Sequence, residues 1–276
     1  MNLIIQGAAI ATPDLKHLAK LAGASAIEAI SPSAFRLCNA TVHEEIAPFC
    51  EEARLDHAFV PHARKLADMR LAVMDMDSTL ITIECIDEIA DMQGLKQEVA
   101  AITAAAMRGE LDYSQSLIER VALLKGLKAA ALKRVYDERV RLSPGAEIMI
   151  ARFRRLGIKT LLVSGGFTFF TERLRERLQL DQTRSNVLEI VDDVLTGCVI
   201  GEIVDADVKR NALLEQRDAL GITKEQIIGM GDGANDLKFI GEAGVGIAYH
   251  AKPVVRAQAM HALTYVGLDG VLNLFT

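Results

Sequence analysis

Leu71-Ala72-Val73-Met74, followed by Asp75-Met76-Asp77-Ser78-Thr79-Leu80, is the stretch on which the fold turns. The first four residues form a short apolar run of the kind that fills a buried strand. Such a run normally stays apolar or breaks at Gly, Asn or Pro. This one breaks on two carboxylates one residue apart and a hydroxyl pair. At the exposed end of a strand, the first Asp and the backbone carbonyl beside the second can face one pocket. Close carboxylates repel unless a cation or a proton lies between them, so the pair points to Mg²⁺ or to a shared proton. Alone, a DxD pair is more often a polar loop.

Three later segments change that balance. The run Ile158 to Val163 ends in Ser164-Gly165-Gly166, a hydroxyl followed by glycines whose N–H groups can come close to an oxyanion. Val204-Asp205-Ala206-Asp207-Val208-Lys209 brings a lysine to the start of a helical stretch. Ile227-Ile228-Gly229-Met230 runs into Gly231-Asp232-Gly233-Ala234-Asn235-Asp236, a second acidic strand end. Each has a blander reading. Ser164-Gly165-Gly166 alone is a strand-to-helix turn, and Lys209 alone is a solvated first-turn residue, unfavourable near the positive end of a helix. Asp232 and Asp236 alone are a helix cap and its neighbour. All of these must hold at once for the site to vanish. A dinucleotide-binding reading fails, because Gly229-Met230-Gly231-Asp232-Gly233 does not fit GxGxxG and an Asp in the turn repels pyrophosphate.

In this order, DxDST, SGG, a solitary Lys and GDGxND resemble the four motifs of the haloacid dehalogenase superfamily of phosphatases. The match is closer still to the phosphoserine phosphatase family. Glu84 carries it, with Met107-Arg108-Gly109-Glu110-Leu111-Asp112-Tyr113 and then Arg120. The resemblance runs from about Leu71 to Thr276.

The order of apolar periodicities predicts an α/β fold with a doubly wound parallel sheet. Residues 1–66 alternate short apolar runs (Leu3 to Gln6, Ala34 to Cys38, His57 to Val60) with helical patterns (Leu15 to Leu21, Val42 to Ala53). They read as a small α+β domain, half or all of a ferredoxin-like βαββαβ unit. The resemblance implies a degenerate relative of small-molecule-binding regulatory domains there. His43 beside Glu44 and Glu45 reads as a solvated helix face rather than a metal site. Residues 84–143 show helical spacing over Ile86 to Met92, Leu95 to Met107, Ser114 to Leu124 and Lys128 to Val140, broken at Gly94, Gly109 and Gly126. This predicts a helical cap inserted after the first core strand, ended by Pro144-Gly145. Residues 67–83 and 144–276 then alternate strand and helix as an α/β phosphatase core, with Val187 to Val199 read as a two-strand excursion. Ligands bind such sheets at the carboxyl ends of the strands, where the motif residues fall.

The chain has 276 residues, 50% of them hydrophobic, and a net charge of −6. This acidic balance argues against nucleic acid and anionic membranes as partners, whose binding rests on clustered Lys and Arg. The basic residues of Arg152 to Arg155 and Arg173 to Arg177 read as wet helix faces. Four widely spaced cysteines with no CxxC pair fit reduced thiols of a cytoplasmic protein. No apolar stretch approaches the ~20 residues of a membrane span, and Met1 begins no leader pattern. An oligomer is compatible with all of this.

Phosphoryl transfer from an ester needs a nucleophile, charge neutralisation and a proton for the leaving alkoxide. By resemblance, Asp75 is the nucleophile, and Asp77 is the acid–base that also offers a backbone carbonyl to Mg²⁺. Asp232 ligates the metal and Asp236 lies behind it, while Lys209, Ser164 and the Gly165 N–H meet the phosphate and Asn235 donates to it or orients the substrate. Free phosphoserine also carries an ammonium and a carboxylate, so its pocket needs an acid and an Arg. Glu84 and Arg120 take those parts, with Met107 and Tyr113 closing the apolar side. The family more often has Phe where this chain has Tyr113. The resemblance thus implies Mg²⁺-dependent hydrolysis of O-phospho-L-serine through an aspartyl-phosphate, the last step of serine synthesis. Two alternatives remain open at this point. One is a related phosphatase or phosphotransferase acting on another small ester. The other is an amino-acid-sensing protein with an inert core, which the intact Asp75, Ser164, Lys209 and Asp232 argue against.

Overall fold

In a computed structural model of the chain, Leu71–Met74 is a strand buried on both faces at the centre of a seven-stranded sheet. The structure describes residues 1–276, the side chain of Met107 excepted. Among the described residues, no helix is long and apolar enough to cross a membrane.

The N-terminal unit runs β1 (Asn2–Gln6), α1 (Thr12–Leu21), β2 (Ala26–Ser31), β3 (Ala34–Cys38), α2 (Ile46–Glu52) and β4 (Asp56–Val60). Its strands pair antiparallel in the order β2-β3-β1-β4, the complete ferredoxin-like arrangement. The sequence reading missed β2. It is the edge strand and its side chains are mostly exposed, so burial imposes no apolar alternation on it. The second helix is also shorter than Val42 to Ala53: residues 42–45 form a turn in which His43 Nδ1 accepts from the Glu45 N–H.

After β5 (Leu71–Met74) come α3 (Cys85–Met92), α4 (Lys96–Met107), α5 (Tyr113–Ala122) and α6 (Ala130–Glu138). The breaks sit where the periodicity failed, at Gly94, Gly109 and Gly126, all with left-handed φ between 75° and 87°. Asp112 caps α5: its side chain accepts from Gln115 N while the Gln115 side chain accepts from Asp112 N. The core resumes with α7 (Ala146–Arg155), β6 (Lys159–Phe167), α8 (Thr168–Leu178), β7 (Gln182–Val191) and β8 (Val194–Ile200). It closes with α9 (Ala206–Leu220), β9 (Ile227–Gly231), α10 (Leu237–Glu242), β10 (Val245–Tyr249), α11 (Pro253–Arg256) and β11 (His261–Leu263).

The sheet order is β11-β10-β9-β5-β6-β7-β8, with every pairing parallel except the β7–β8 hairpin. One expectation needs correction: the β6 strand does not end at Ser164 but runs on to Phe167, with a register shift against β7. The residues read as a two-strand excursion form one, since β7 pairs parallel with β6 only through Asn186 and from Val187 on pairs antiparallel with β8. The Arg-rich segments of α7 and α8 lie mainly on the outside of those helices. All four cysteines are free.

The N-terminal unit docks on the C-terminal segment rather than on the helical insertion. The buried Asp56 carboxylate accepts from the N–H groups of Thr264, Tyr265 and Val266 at 2.7, 2.9 and 3.1 Å. Arg36 donates to the Phe275 carbonyl, and Asn273 to Gln6.

Candidate active site

Parallel register builds the site. Met74 lies beside Leu162 on one flank and Met230 on the other, so the three strands deliver Asp75, Ser164 and Asp232 to one end of the sheet. The Asp75 N–H donates to the Met230 carbonyl at 3.0 Å, fixing the first residue past β5 against β9. Ser78 then turns the chain with a left-handed φ of 55°, a conformation that costs a non-glycine residue about 1–3 kcal/mol. Two hydrogen bonds hold it there: Ser78 N to the Ile83 carbonyl at 3.1 Å, and Ser78 Oγ to Glu84 Oε1 at 2.6 Å. This turn sends the chain into α3 with Glu84 at its entrance.

Lys209 is the decisive observation. Asp205 caps α9 by accepting from Asp207 N and Val208 N, which sets Lys209 in the first turn facing inward. Far from being solvated, Lys209 is 0% exposed. Its Nζ donates to Asp75 Oδ1 and Asp236 Oδ1, each at 2.8 Å. Asp236, also fully buried, accepts from Gly233 N with its other oxygen, so it holds the lysine and the Asp232 loop together. Carboxylate oxygens of Asp75, Asp232 and Asp236 lie within 4.8 Å of one another.

The electrostatics follow from this crowding. Burial and the Asp236 charge raise the Asp75 carboxyl well above its usual range, against the pull of Lys209. Burial, then Asp236, pushes Asp232 up to about 7, although the Thr79 hydroxyl donates to it at 3.0 Å. Burial works to lower Lys209, yet Asp236 and Asp75 override it and the net shift is upward. Three clustered carboxylates facing one ammonium leave an excess of negative charge with hard oxygen donors, the donor chemistry of a divalent cation site.

Asp77 points elsewhere. Its Oδ1 accepts from Cys85 N at 3.0 Å, and a Cβ on Gly166 would meet its Oδ2 at 2.7 Å, so only glycine fits there. Burial, then Glu84, lifts its carboxyl to about 7. Ser164 is fully buried and its Oγ accepts from Gly166 N at 2.8 Å, which leaves the hydroxyl proton free to donate. Asn235 sits half-buried in the turn 234–236, its side-chain oxygen against Gly233.

From the helical insertion, the Tyr113 hydroxyl donates to the Gly165 carbonyl at 3.3 Å, so α5 touches the glycine loop directly. Burial pushes that phenol up to about 12, with Lys209 and Arg120 opposing. Arg120 Nε donates to the Ser116 carbonyl one turn back, and its charge opposes the burial that raises Asp87. Glu84 and Arg120 therefore both stand on the insertion side of the site. The expectation for Met107 falls on a side chain outside the described residues.

Sequence reasoning missed two polar residues. Thr79 is fully buried and binds Asp232; it was visible in the motif but without a part to play. Asn186 is fully buried in β7, donates to the Gly165 carbonyl at 2.7 Å and accepts from Val204 N at 2.8 Å. It ties the glycine loop to the segment leading into α9. No local pattern in 182–191 announces it, because its partners come from two other elements.

The profile of the haloacid dehalogenase-like hydrolases matches residues 69–244, and that of a domain of unknown function, DUF4072, matches residues 3–46. A phosphoserine phosphatase of Polaromonas is 57% identical over 76% of this chain and 91% of its own length. One of Albidiferax ferrireducens is 52% identical over 79% and 93%. The crystal structure of a probable phosphoserine phosphatase from Vibrio cholerae superposes with a TM-score of 0.87 at 36% identity, covering 99% of this chain and 85% of that one. With this fold, these motifs and these relatives, the chain belongs to the phosphoserine phosphatases of the haloacid dehalogenase-like hydrolases.

Proposed function

We propose that the chain hydrolyses O-phospho-L-serine to serine and phosphate with Mg²⁺, through an aspartyl-phosphate on Asp75, as the last step of serine synthesis. The observation that carries this reading is the buried Lys209 bridging Asp75 and Asp236 at 2.8 Å each. In this reading residues 67–83 and 144–276 are the catalytic core, 84–143 the cap and 1–66 a separate N-terminal domain.

Asp75 attacks phosphorus with a carboxylate oxygen as the bond to the seryl oxygen breaks. Asp77 gives its proton to that oxygen, then takes one from the water that attacks the aspartyl-phosphate. A carboxyl lifted to about 7 can do both near neutrality. Lys209 has three N–H donors and spends two on Asp75 and Asp236, so the third is available to a phosphate oxygen, beside Ser164 Oγ and the Gly165 N–H. Asn235 borders the same space. The carboxylates of Asp75 and Asp232 and the Asp77 carbonyl would hold Mg²⁺, with Asp236 behind them. Bound there, the cation offsets the repulsion between Asp75 and a phosphate dianion.

Phosphate release from phosphoserine, with chelator and after Mg²⁺ is restored, beside a panel of sugar phosphates, tests the reading. Turnover of the sugar phosphates alone would refute the substrate. Asp232→Ala is expected to move the Mg²⁺ titration midpoint upward; an unchanged midpoint removes Asp232 from the metal. Asp77→Asn is expected to slow phosphoserine hydrolysis by about 10²–10⁴-fold and an activated aryl phosphate far less, because the latter's leaving group needs little protonation. Equal losses on both esters would exclude Asp77 as the acid.

Specificity falls to Glu84 for the ammonium and Arg120 for the carboxylate, with Tyr113, and Met107 by resemblance, on the apolar side. Arg120→Ala is expected to cost phosphoserine about 2–5 kcal/mol of binding, the scale of truncating one partner of a buried charge pair. Phosphoethanolamine, which lacks the carboxylate, is expected to be a poor substrate that the change barely affects. Glu84→Gln damages both of these esters and spares 3-phosphoglycerate-like ones. Equal losses of activity on all three esters in Arg120→Ala would make the residue structural.

A further inference from the structure

A cleft of about 890 Å³ opens between the N-terminal unit and the β11 edge of the main sheet, on wholly different residues from the carboxylate cluster. One wall is His57 and Phe59 of β4; the other is Arg256 of α11, Met260 and His261. Every lining residue falls outside residues 3–46 and 69–244, so neither family description bears on it.

The cleft has donors without matching acceptors. Arg64 Nη1 is 2.7 Å from His261 Nε2 and Nη2 is 3.5 Å from Met260 Sδ; among the described residues no carboxylate pairs with it. Arg256 reaches Glu51 at 3.6 Å and the Thr264 hydroxyl at 3.5 Å, but its Nε–H is buried and lacks an acceptor among the described residues. Glu51 is largely exposed, so solvent screens its charge. Asp56, the buried carboxylate beside the cleft, is already engaged by three backbone N–H groups. Burial keeps His57 and His261 below their ordinary pKa, so neither imidazole adds charge at neutral pH. Buried donors of this kind are normally satisfied, and a half-buried guanidinium whose acceptors are an imidazole and a thioether lacks a counter-charge.

We propose that this interdomain cleft binds a small oxyanion, held by the guanidinium groups of Arg64 and Arg256. A guanidinium fork matches a carboxylate or a tetrahedral oxyanion. Phe59, Met260 and Tyr265 fit a short apolar body beside it. Such a ligand touches both units at once and strengthens their docking.

The full chain is titrated with succinate and, separately, with inorganic sulfate, reading the melting temperature and the ring NMR signals of His57 and His261. A saturable rise in melting temperature with movement of both rings is expected. Response to succinate identifies carboxylate chemistry, and response to sulfate identifies tetrahedral oxyanion chemistry. Arg64→Met abolishes the response, and Arg64→Lys, which keeps charge but loses the fork, retains part of it. If Arg64→Met does not fold, Arg256→Leu takes its place. Phosphatase turnover without added anion is expected to be unchanged in the folded variants. The proposal is overturned by no saturable response to either anion, by the same response in the arginine variants, or by a thermal rise with both rings still, which places the anion elsewhere.

Discussion

Asp75→Asn lowers kcat by about 10⁴-fold or more, on the scale seen when a covalent nucleophile is removed, while the melting temperature does not fall. The amide keeps the shape of the carboxylate but has no oxygen able to form the acyl-phosphate. Stability is retained because the carboxylate is an electrostatic burden in the fold. Its pKa is raised by burial and by Asp236, so its ionised form disfavours folding. In the variant, Lys209 keeps Asp236 at 2.8 Å, and one ammonium then balances one carboxylate. Steady-state turnover beside a thermal melt checks both halves. A folded variant retaining more than about one per cent of turnover would sink the aspartyl-phosphate mechanism.

Lys209→Met gives the opposite pattern, losing activity and stability together. The buried ammonium is the counter-charge that allows Asp75 and Asp236 to share the same dry space. Removing one partner of a buried ion pair costs about 3–5 kcal/mol, because the charges left behind have no partner. Without Lys209, nothing opposes the burial and the Asp236 charge that already raise the Asp75 carboxyl. Its folded-state pKa lies above the unfolded one, so the native state binds more protons and stability falls as pH rises. Urea unfolding midpoints in metal-free buffer between pH 6 and 8 are therefore expected to drop more steeply for Lys209→Met than for the wild type. Parallel slopes would show that Lys209 does not compensate these acids.

The residues of the site were largely legible before the fold was known. Asp75 and Asp232 each follow a strand, Lys209 stands in the first turn of a helix and Ser164 comes directly after the apolar run of β6, so each marks a point where an apolar period stops. The helical insertion was legible as well, since a period of 3.6 interrupted by glycines needs no tertiary information to read. Burial was not. Lys209 in a first turn carries the same local pattern whether it is solvated or sealed, and only the parallel register of β5 and β9 brings Asp75 and Asp236 to it. The parts played by Asn186 and Thr79 were hidden for the same reason: their hydrogen bonds join elements far apart in the chain. The edge strand β2 escaped because its exposed side chains leave no burial pattern. Sequence alone determined the acidic strand ends, the helical insertion and most of the element order, because these rest on local periodicity and residue type. Tertiary structure decided which charges are buried together and where the N-terminal unit docks, because both depend on desolvation and on contacts between distant segments.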